Sequence, residues 1–331
     1  MSYITVLGAG SWGTTLARML AEKDYDVSLW AYEKDLALEM KRSRENRWFL
    51  PGVPLPDNLT VTSSIREALD KVRYIVNAVP AQYTRSVIGK ALPFVPDDSV
   101  FVSVSKGIEK DTCLTVSGII GGLTGRPVAA LSGPSFAKEV SRKLPTAVTL
   151  ACGDYGTCLL LQEVFTTSYF RVYTHHDIVG VEVGGALKNI MAIASGASDG
   201  LGLGMNARAA LITRGLAEMT RLGVMLGARE QTFSGLSGIG DLVLTCSSNL
   251  SRNYTVGFKL GQGMKLAEII GSTRSVAEGV ATTKAVRELA AREEVDMPIV
   301  EQVYQVLYED KAPADAVRDL MERALKPEFH G

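Results

Sequence analysis

Tyr3-Ile4-Thr5-Val6-Leu7-Gly8-Ala9-Gly10-Ser11-Trp12-Gly13-Thr14-Thr15-Leu16-Ala17 is the stretch that decides the fold. Tyr3–Leu7 reads as a short buried strand. Three glycines follow in the spacing G-x-G-x-x-G, and an apolar helix start follows them. Gly8 permits the tight turn, Gly10 lets backbone approach a pyrophosphate, and Gly13 lets the helix pack on the strand. Unpaired N–H groups and the positive dipole end at the helix N-terminus then suit phosphate. The unit predicts a dinucleotide-binding, Rossmann-like domain. The same spacing also occurs in β–α turns without a ligand, so the chemistry has to be found elsewhere in the chain.

Moving outward, strand and helix signals alternate through the first half. Val27–Ala31 reads as a second strand and 46–58, with Pro51, Pro54 and Pro56, as a loop. Thr60–Thr62 is a short strand, and Ser64 is placed to cap a helix over Ile65–Leu69. Further strands are expected at Tyr74–Val79, Val100–Val104, Val128–Leu131, Ala147–Ala151 and Phe170–Tyr173. Strands alternating with helices imply a mainly parallel, doubly wound sheet with helices on both faces. Beyond about Thr174 only helical periods remain: Val179–Gly200, Asn206–Leu226, Thr282–Arg292, Ile299–Tyr308 and Ala314–Ala324. The expected division is an α/β domain over 1–176 and an all-α domain over 177–331.

At 331 residues the chain is too long for one typical core. A net charge of −1 with no basic stripe argues against a nucleic-acid partner. Four cysteines are scattered without a C-x-x-C pair, which fits a reducing compartment rather than a disulfide framework. The chain enters a strand at once, so no signal peptide is expected, and no apolar run reads as a membrane span. The expected location is cytoplasmic. Three histidines, His175, His176 and His330, supply acid–base chemistry poorly, so another group is expected to do that work.

Three places carry candidate chemistry. The helix expected at Val179–Gly200 holds Lys188-Asn189 among Leu187, Ile190, Met191 and Ile193, and is rich in glycine and alanine. Each mid-helix glycine costs roughly 0.5–1 kcal/mol relative to alanine, which makes sense where another backbone or a flat ligand comes close. A lysine there is partly desolvated, which lowers its pKa toward a useful range. Ser237-Gly238-Ile239-Gly240-Asp241 delivers a carboxylate, which is equally well read as the N-cap of the next helix. Ser251-Arg252-Asn253 opens another helix, where arginine opposes the dipole unless a phosphate is bound. After the second strand, Glu33 suits a ribose 2′-hydroxyl and Lys34 a 2′-phosphate. Glu33 would repel a phosphate, which tips the reading toward NAD.

These segments, with Ala78-Val79-Pro80, Ser105-Lys106-Gly107-Ile108-Glu109 and Ser132-Gly133-Pro134-Ser135-Phe136-Ala137, resemble the NAD(P)-dependent glycerol-3-phosphate dehydrogenases, the bacterial type above all. The resemblance runs through Gly185-Ala186-Leu187-Lys188-Asn189, Gly238–Leu242 and 249–253 and covers essentially the whole chain. It implies a helical second domain like the C-terminal domain of 6-phosphogluconate dehydrogenase. It implies reversible, NAD(P)H-dependent reduction of dihydroxyacetone phosphate to sn-glycerol 3-phosphate, feeding glycerophospholipid synthesis, with no metal. By the same resemblance Lys188 is the acid/base, helped by Lys106 and Asp241. Lys106, Gly133, Ser135, Lys188, Asp241, Ser251, Arg252 and Asn253 would line the substrate site. Gly8, Gly10, Ser11, Trp12, Gly13, Tyr32, Lys106, Ala137, Arg252, Val276 and Glu278 would meet NAD(H) or NADP(H). Many bacterial members carry histidine or arginine where this chain has Tyr32-Glu33, which weakens the expected NADP preference and makes Tyr32 an adenine-stacking candidate.

Two rival readings share parts of this pattern. A β-hydroxyacid dehydrogenase would also place a lysine on a long helix, but does not call for Ser251-Arg252-Asn253. A non-catalytic dinucleotide sensor would need the glycine loop but not Lys106, Lys188 and Asp241. Oligomeric state is left open, with a homodimer as one outcome, since apolar residues of the late helices serve equally as core or interface.

Overall fold

The computed structural model describes residues 3–271, 276–325 and 327–328, so His330 lies outside the described residues. Its strands are β1 (Tyr3–Leu7), β2 (Asp26–Trp30), β3 (Glu45–Asn46), β4 (Leu50–Pro54), β5 (Leu59–Thr62), β6 (Tyr74–Asn77), β7 (Val100–Ser103), β8 (Val128–Ser132), β9 (Thr146–Ala151) and β10 (Phe170–His175). Eight of them form one sheet in the order β10-β9-β8-β7-β6-β1-β2-β5. The run from β5 to β8 is parallel, and the antiparallel β8–β9 pair reverses the direction of the last two strands.

The apolar strand cores are buried on both sides, as a sheet covered by helices requires. Ile4, Val6, Leu29, Val76 and Val102 face one layer of helices. Leu7, Ile75 and Phe101 face the other. Neighbouring residues thus serve opposite cores, the two-residue period of a strand. The chain leaves β1 toward β2 and returns to place β6 on β1's other side. That reversal is the switch point where doubly wound sheets hold ligands, at the carboxyl ends of the strands.

The expected loop at 46–58 is corrected in part: β3 and β4 pair as a small antiparallel hairpin. Prolines mark loops in most strand settings, but a two-stranded ribbon leaves edges where a missing N–H costs nothing. Among the described residues, every element after His175 is helical.

Helix Ile178–Gly200 runs through the middle of this helical half, its side chains Leu187, Ile190 and Met191 fully buried. It corrects one expectation. Its 23 residues, with a window of mean hydropathy 1.4, are long and apolar enough to cross a membrane, yet 83% of that window is buried inside the protein. It is a core helix, wrapped by Gly204–Met225, Asp241–Cys246, Arg252–Gly261 and Glu278–Arg292. Its glycines admit another backbone: a Cβ on Gly196 would strike Tyr254 O, and one on Gly257 of the neighbouring helix would strike Ile193 O.

Candidate active site

The carboxyl ends of β1, β6, β7 and β8 carry the glycine loop, Ala78-Val79-Pro80, Lys106 and Gly133 respectively. Central helix Ile178–Gly200 packs against β8 there, with Gly185 close to Ser132 and Lys106, and Lys188 shares Asp241 with Lys106. That juxtaposition produces a buried cluster. Lys188 Nζ donates to Asp241 Oδ1 at 2.8 Å and to Thr245 Oγ1 at 2.7 Å. Lys106 Nζ donates to Asp241 Oδ2 at 2.6 Å and to Gly133 O at 2.9 Å. Each ammonium has three N–H groups, so each keeps one for a substrate oxygen.

Asp241 is the first residue of helix Asp241–Cys246; the N-cap is Gly240, without a side-chain cap bond. The capping alternative is therefore excluded: the carboxylate is turned between the two lysines. Gly185 allows this closeness, because a Cβ there would sit 2.7 Å from Ser132 Oγ and 3.4 Å from Lys106 Cγ. Asn189 fixes the other side, its Nδ2 donating to Lys106 O at 3.0 Å.

The electrostatics follow from burial. Lys188 is 6% exposed. Desolvation pulls its pKa down to about 8, Asp241 opposing the shift and Lys106 adding to it. Burial alone would lift Asp241; the two ammonium groups outweigh it and hold the carboxylate below its usual range. Two cations against one anion leave the cluster net positive, fit for an anionic substrate.

Arg252, Asn253, Val276 and Glu278 form a second group beside Asn189. Asn253 Oδ1 accepts from Gly279 N at 2.9 Å, and a Cβ on Gly279 would lie 2.7 Å from Asn189 O. Ser251 caps helix Arg252–Gly261, accepting from Tyr254 N at 3.2 Å. Those bonds engage Ser251 and Asn253, whereas Arg252 is exposed and donates to Val276 O at 3.1 Å. Glu278 reaches back to the sheet half, Oε1 accepting from Ala81 N at 2.8 Å. Burial raises its pKa against that hydrogen bond and the nearby Arg252. Ser135 Oγ donates to Gly133 O at 2.9 Å, and Thr15 Oγ1 to Ala137 O at 3.4 Å.

The glycine loop fits a dinucleotide. Gly8 has φ +109°, and its Cβ would meet Ala78 O at 2.8 Å. A Cβ on Gly13 would collide with Gly8 O, whereas one on Gly10 would meet nothing within 4 Å. The loop is thus closed on the protein side and open at Gly10. Among the described residues, helix Ser11–Ala21 has no side-chain cap and the buried Trp12 Nε1 has no partner. Tyr32, 69% exposed, meets Trp30 edge-on at 6.1 Å beyond β2. Glu33 sits at the N-cap of helix Lys34–Ser43 without making a cap bond.

Thr245 is the site residue that sequence reasoning passed over. One turn after Asp241, it lies on the same helix face, a spacing visible in the sequence.

Two family models match the chain: the C-terminal part of NAD-dependent glycerol-3-phosphate dehydrogenase over residues 177–318, and its N-terminal part over 3–158. The chain is 55% identical over 329 residues to glycerol-3-phosphate dehydrogenase [NAD(P)+] of Geobacter sp. (strain M21), covering 98% of each. The chain belongs to this dehydrogenase family. A crystal structure of glycerol-3-phosphate dehydrogenase from Coxiella burnetii superposes with a TM-score of 0.95 at 42% identity, covering 97% of this chain and 99% of that one. A ketopantoate reductase from Ralstonia eutropha JMP134, at 13% identity and TM-score 0.63 over 95% of this chain and 99% of that one, shares the fold alone. As a member of the glycerol-3-phosphate dehydrogenase family, the chain is an NAD(P)-dependent oxidoreductase.

Proposed function

We propose that the chain reversibly reduces dihydroxyacetone phosphate to sn-glycerol 3-phosphate, supplying glycerophospholipid synthesis, with Lys188 as general acid. The observation that carries the assignment is the single carboxylate of Asp241 held between Lys188 and Lys106. In this reading residues 1–176 carry the glycine loop for the cofactor and 177–331 the acid Lys188, and both contribute to the substrate pocket between them.

Gly8, Gly10, Ser11, Trp12 and Gly13 hold the pyrophosphate end, with Tyr32, Lys106, Ala137, Arg252, Val276 and Glu278 along the rest. When bound, the reduced nicotinamide supplies a hydride to the ketone carbon. Lys188 gives its proton to the ketone oxygen, while Lys106 offsets the negative charge developing there. Thr245 and Asp241 hold the Lys188 ammonium in place. Arg252, beside Ser251 and Asn253, pairs with the substrate phosphate, and the binding energy of that remote group fixes the carbonyl. Gly133 and Ser135 line the pocket. In the reverse direction neutral Lys188 takes the hydroxyl proton.

The setting is cytoplasmic, in keeping with four cysteines that stand as thiols. A homodimer is one assembly this surface allows, with exposed Leu203, Met205, Val224 and Met225 as apolar area for it to bury.

Initial rates with dihydroxyacetone phosphate, comparing NADH with NADPH, test the proposal. The expected result is turnover that requires the phosphorylated ketone and favours NADH, because Glu33 repels a 2′-phosphate. Turnover of a β-hydroxyacid with none of dihydroxyacetone phosphate would overturn it.

A further inference from the structure

We propose that Asn46 is a positioning residue for the dinucleotide loop, setting the direction of its Gly10 N–H. The inference rests on the reading of that loop as the cofactor site. Asn46 belongs to the β3–β4 hairpin, far in sequence from the glycines, and its side chain is fully buried. Its Nδ2 donates to Ala9 O at 2.8 Å and to Thr14 Oγ1 at 2.8 Å. Its Oδ1 accepts from Phe49 N at 3.1 Å. Both N–H donors and the carbonyl are thus engaged, and the Phe49 bond fixes which end of the amide faces the loop.

Ala9 C=O and Gly10 N–H belong to one peptide unit. Among the described residues no peptide is cis, so the two groups point in opposite directions. Clamping Ala9 O against Asn46 therefore sends Gly10 N–H to the other side of the loop. Thr14 ties the same amide to the first turn of helix Ser11–Ala21. With glycine on both sides of Ala9 the peptide is free to rotate unless held, and Asn46 at 2.8 Å is the shorter of its two side-chain holds, Thr14 Oγ1 donating to the same Ala9 O at 3.4 Å. Preorganised donors bind an anion without an ordering cost at the moment of binding.

Three variants test this: Asn46→Ala, Asn46→Asp and Thr14→Val. The readouts are the NADH dissociation constant by fluorescence without substrate, amide hydrogen exchange over residues 8–14 in the cofactor-free protein, and KM for dihydroxyacetone phosphate at saturating NADH. Asn46→Ala should raise the NADH dissociation constant about tenfold, the equivalent of one to two lost hydrogen bonds. Thr14→Val should raise it about threefold, since the shorter Asn46 bond to Ala9 O survives and only the longer Thr14 bond is lost. Exchange over the loop should accelerate while KM for dihydroxyacetone phosphate stays within about twofold, a split that general loosening would not give. Asn46→Asp keeps the shape and the Phe49 bond but sets a carboxylate against Ala9 O, and should match or exceed the alanine loss. If Asn46→Ala does not fold, the other two variants decide by the same criteria. An NADH dissociation constant near wild type, or equal rises in both constants, overturns the inference. Failure of the wild-type chain to bind NADH or NADPH would instead overturn the cofactor reading beneath it.

Discussion

Lys188 Nζ and Asp241 Oδ1 lie 2.8 Å apart in a fully buried setting, and the other oxygen of that carboxylate holds Lys106. An isolated buried lysine would lose its proton outright. Two like-charged neighbours without Asp241 would repel. The shared carboxylate keeps Lys188 charged up to about pH 8, close to where a proton donor is most useful.

That value fixes the pH behaviour. Reduction needs protonated Lys188, so kcat should be on a plateau below about pH 8 and fall as pH rises through it. Oxidation of glycerol 3-phosphate needs the neutral amine, so its rate should rise through the same region. Initial rates in both directions across pH 6–10 check the sign.

Asp241→Asn should move the falling limb of the reduction profile below pH 8, because desolvation and Lys106 then act on Lys188 without the carboxylate's opposing pull. Breaking a buried pair costs about 3–5 kcal/mol, so Tm should drop as well. A limb that stays in place would show that Asp241 does not set the Lys188 pKa.

Arg252→Ala should reduce kcat/KM with dihydroxyacetone phosphate by at least about a hundredfold, the scale of a lost charge-assisted phosphate contact. With unphosphorylated dihydroxyacetone the same variant should lose little. Side-by-side kcat/KM values for the two ketones decide; equal losses would take Arg252 out of the phosphate site.

Gly10→Ala and Gly257→Ala should separate binding from folding. A Cβ on Gly10 meets nothing within 4 Å, so Tm should hold while cofactor affinity falls. A Cβ on Gly257 strikes Ile193 O, so that variant should lose stability by about 1–3 kcal/mol or more. Calorimetry with an NADH titration reads both.

Much of this was legible in the sequence because local rules govern it. Tyr3–Leu7 with its glycines read as a strand entering a helix, and the apolar neighbours Leu187, Ile190 and Met191 pointed to a buried Lys188, which is 6% exposed. The glycines of that helix pointed to a close backbone, which Arg252–Gly261 turned out to supply. What stayed hidden depended on contacts across the chain. Asp241 read equally as a cap until Lys106 and Lys188 were seen on either side of it. Asn46 looked like loop because its partners, Ala9 and Thr14, lie more than thirty residues away. The antiparallel turn of β9 also escaped a pattern of alternating elements, since periodicity carries no direction.

The most direct test of the central claim is kcat for dihydroxyacetone phosphate reduction in Lys188→Met. The change leaves Lys106 and Asp241 as a balanced pair, so the variant should fold and bind NADH as the wild type does. Loss of a general acid should lower kcat by about 10²–10⁴ at an unchanged NADH dissociation constant. A kcat within about tenfold of wild type would contradict Lys188 as the proton donor.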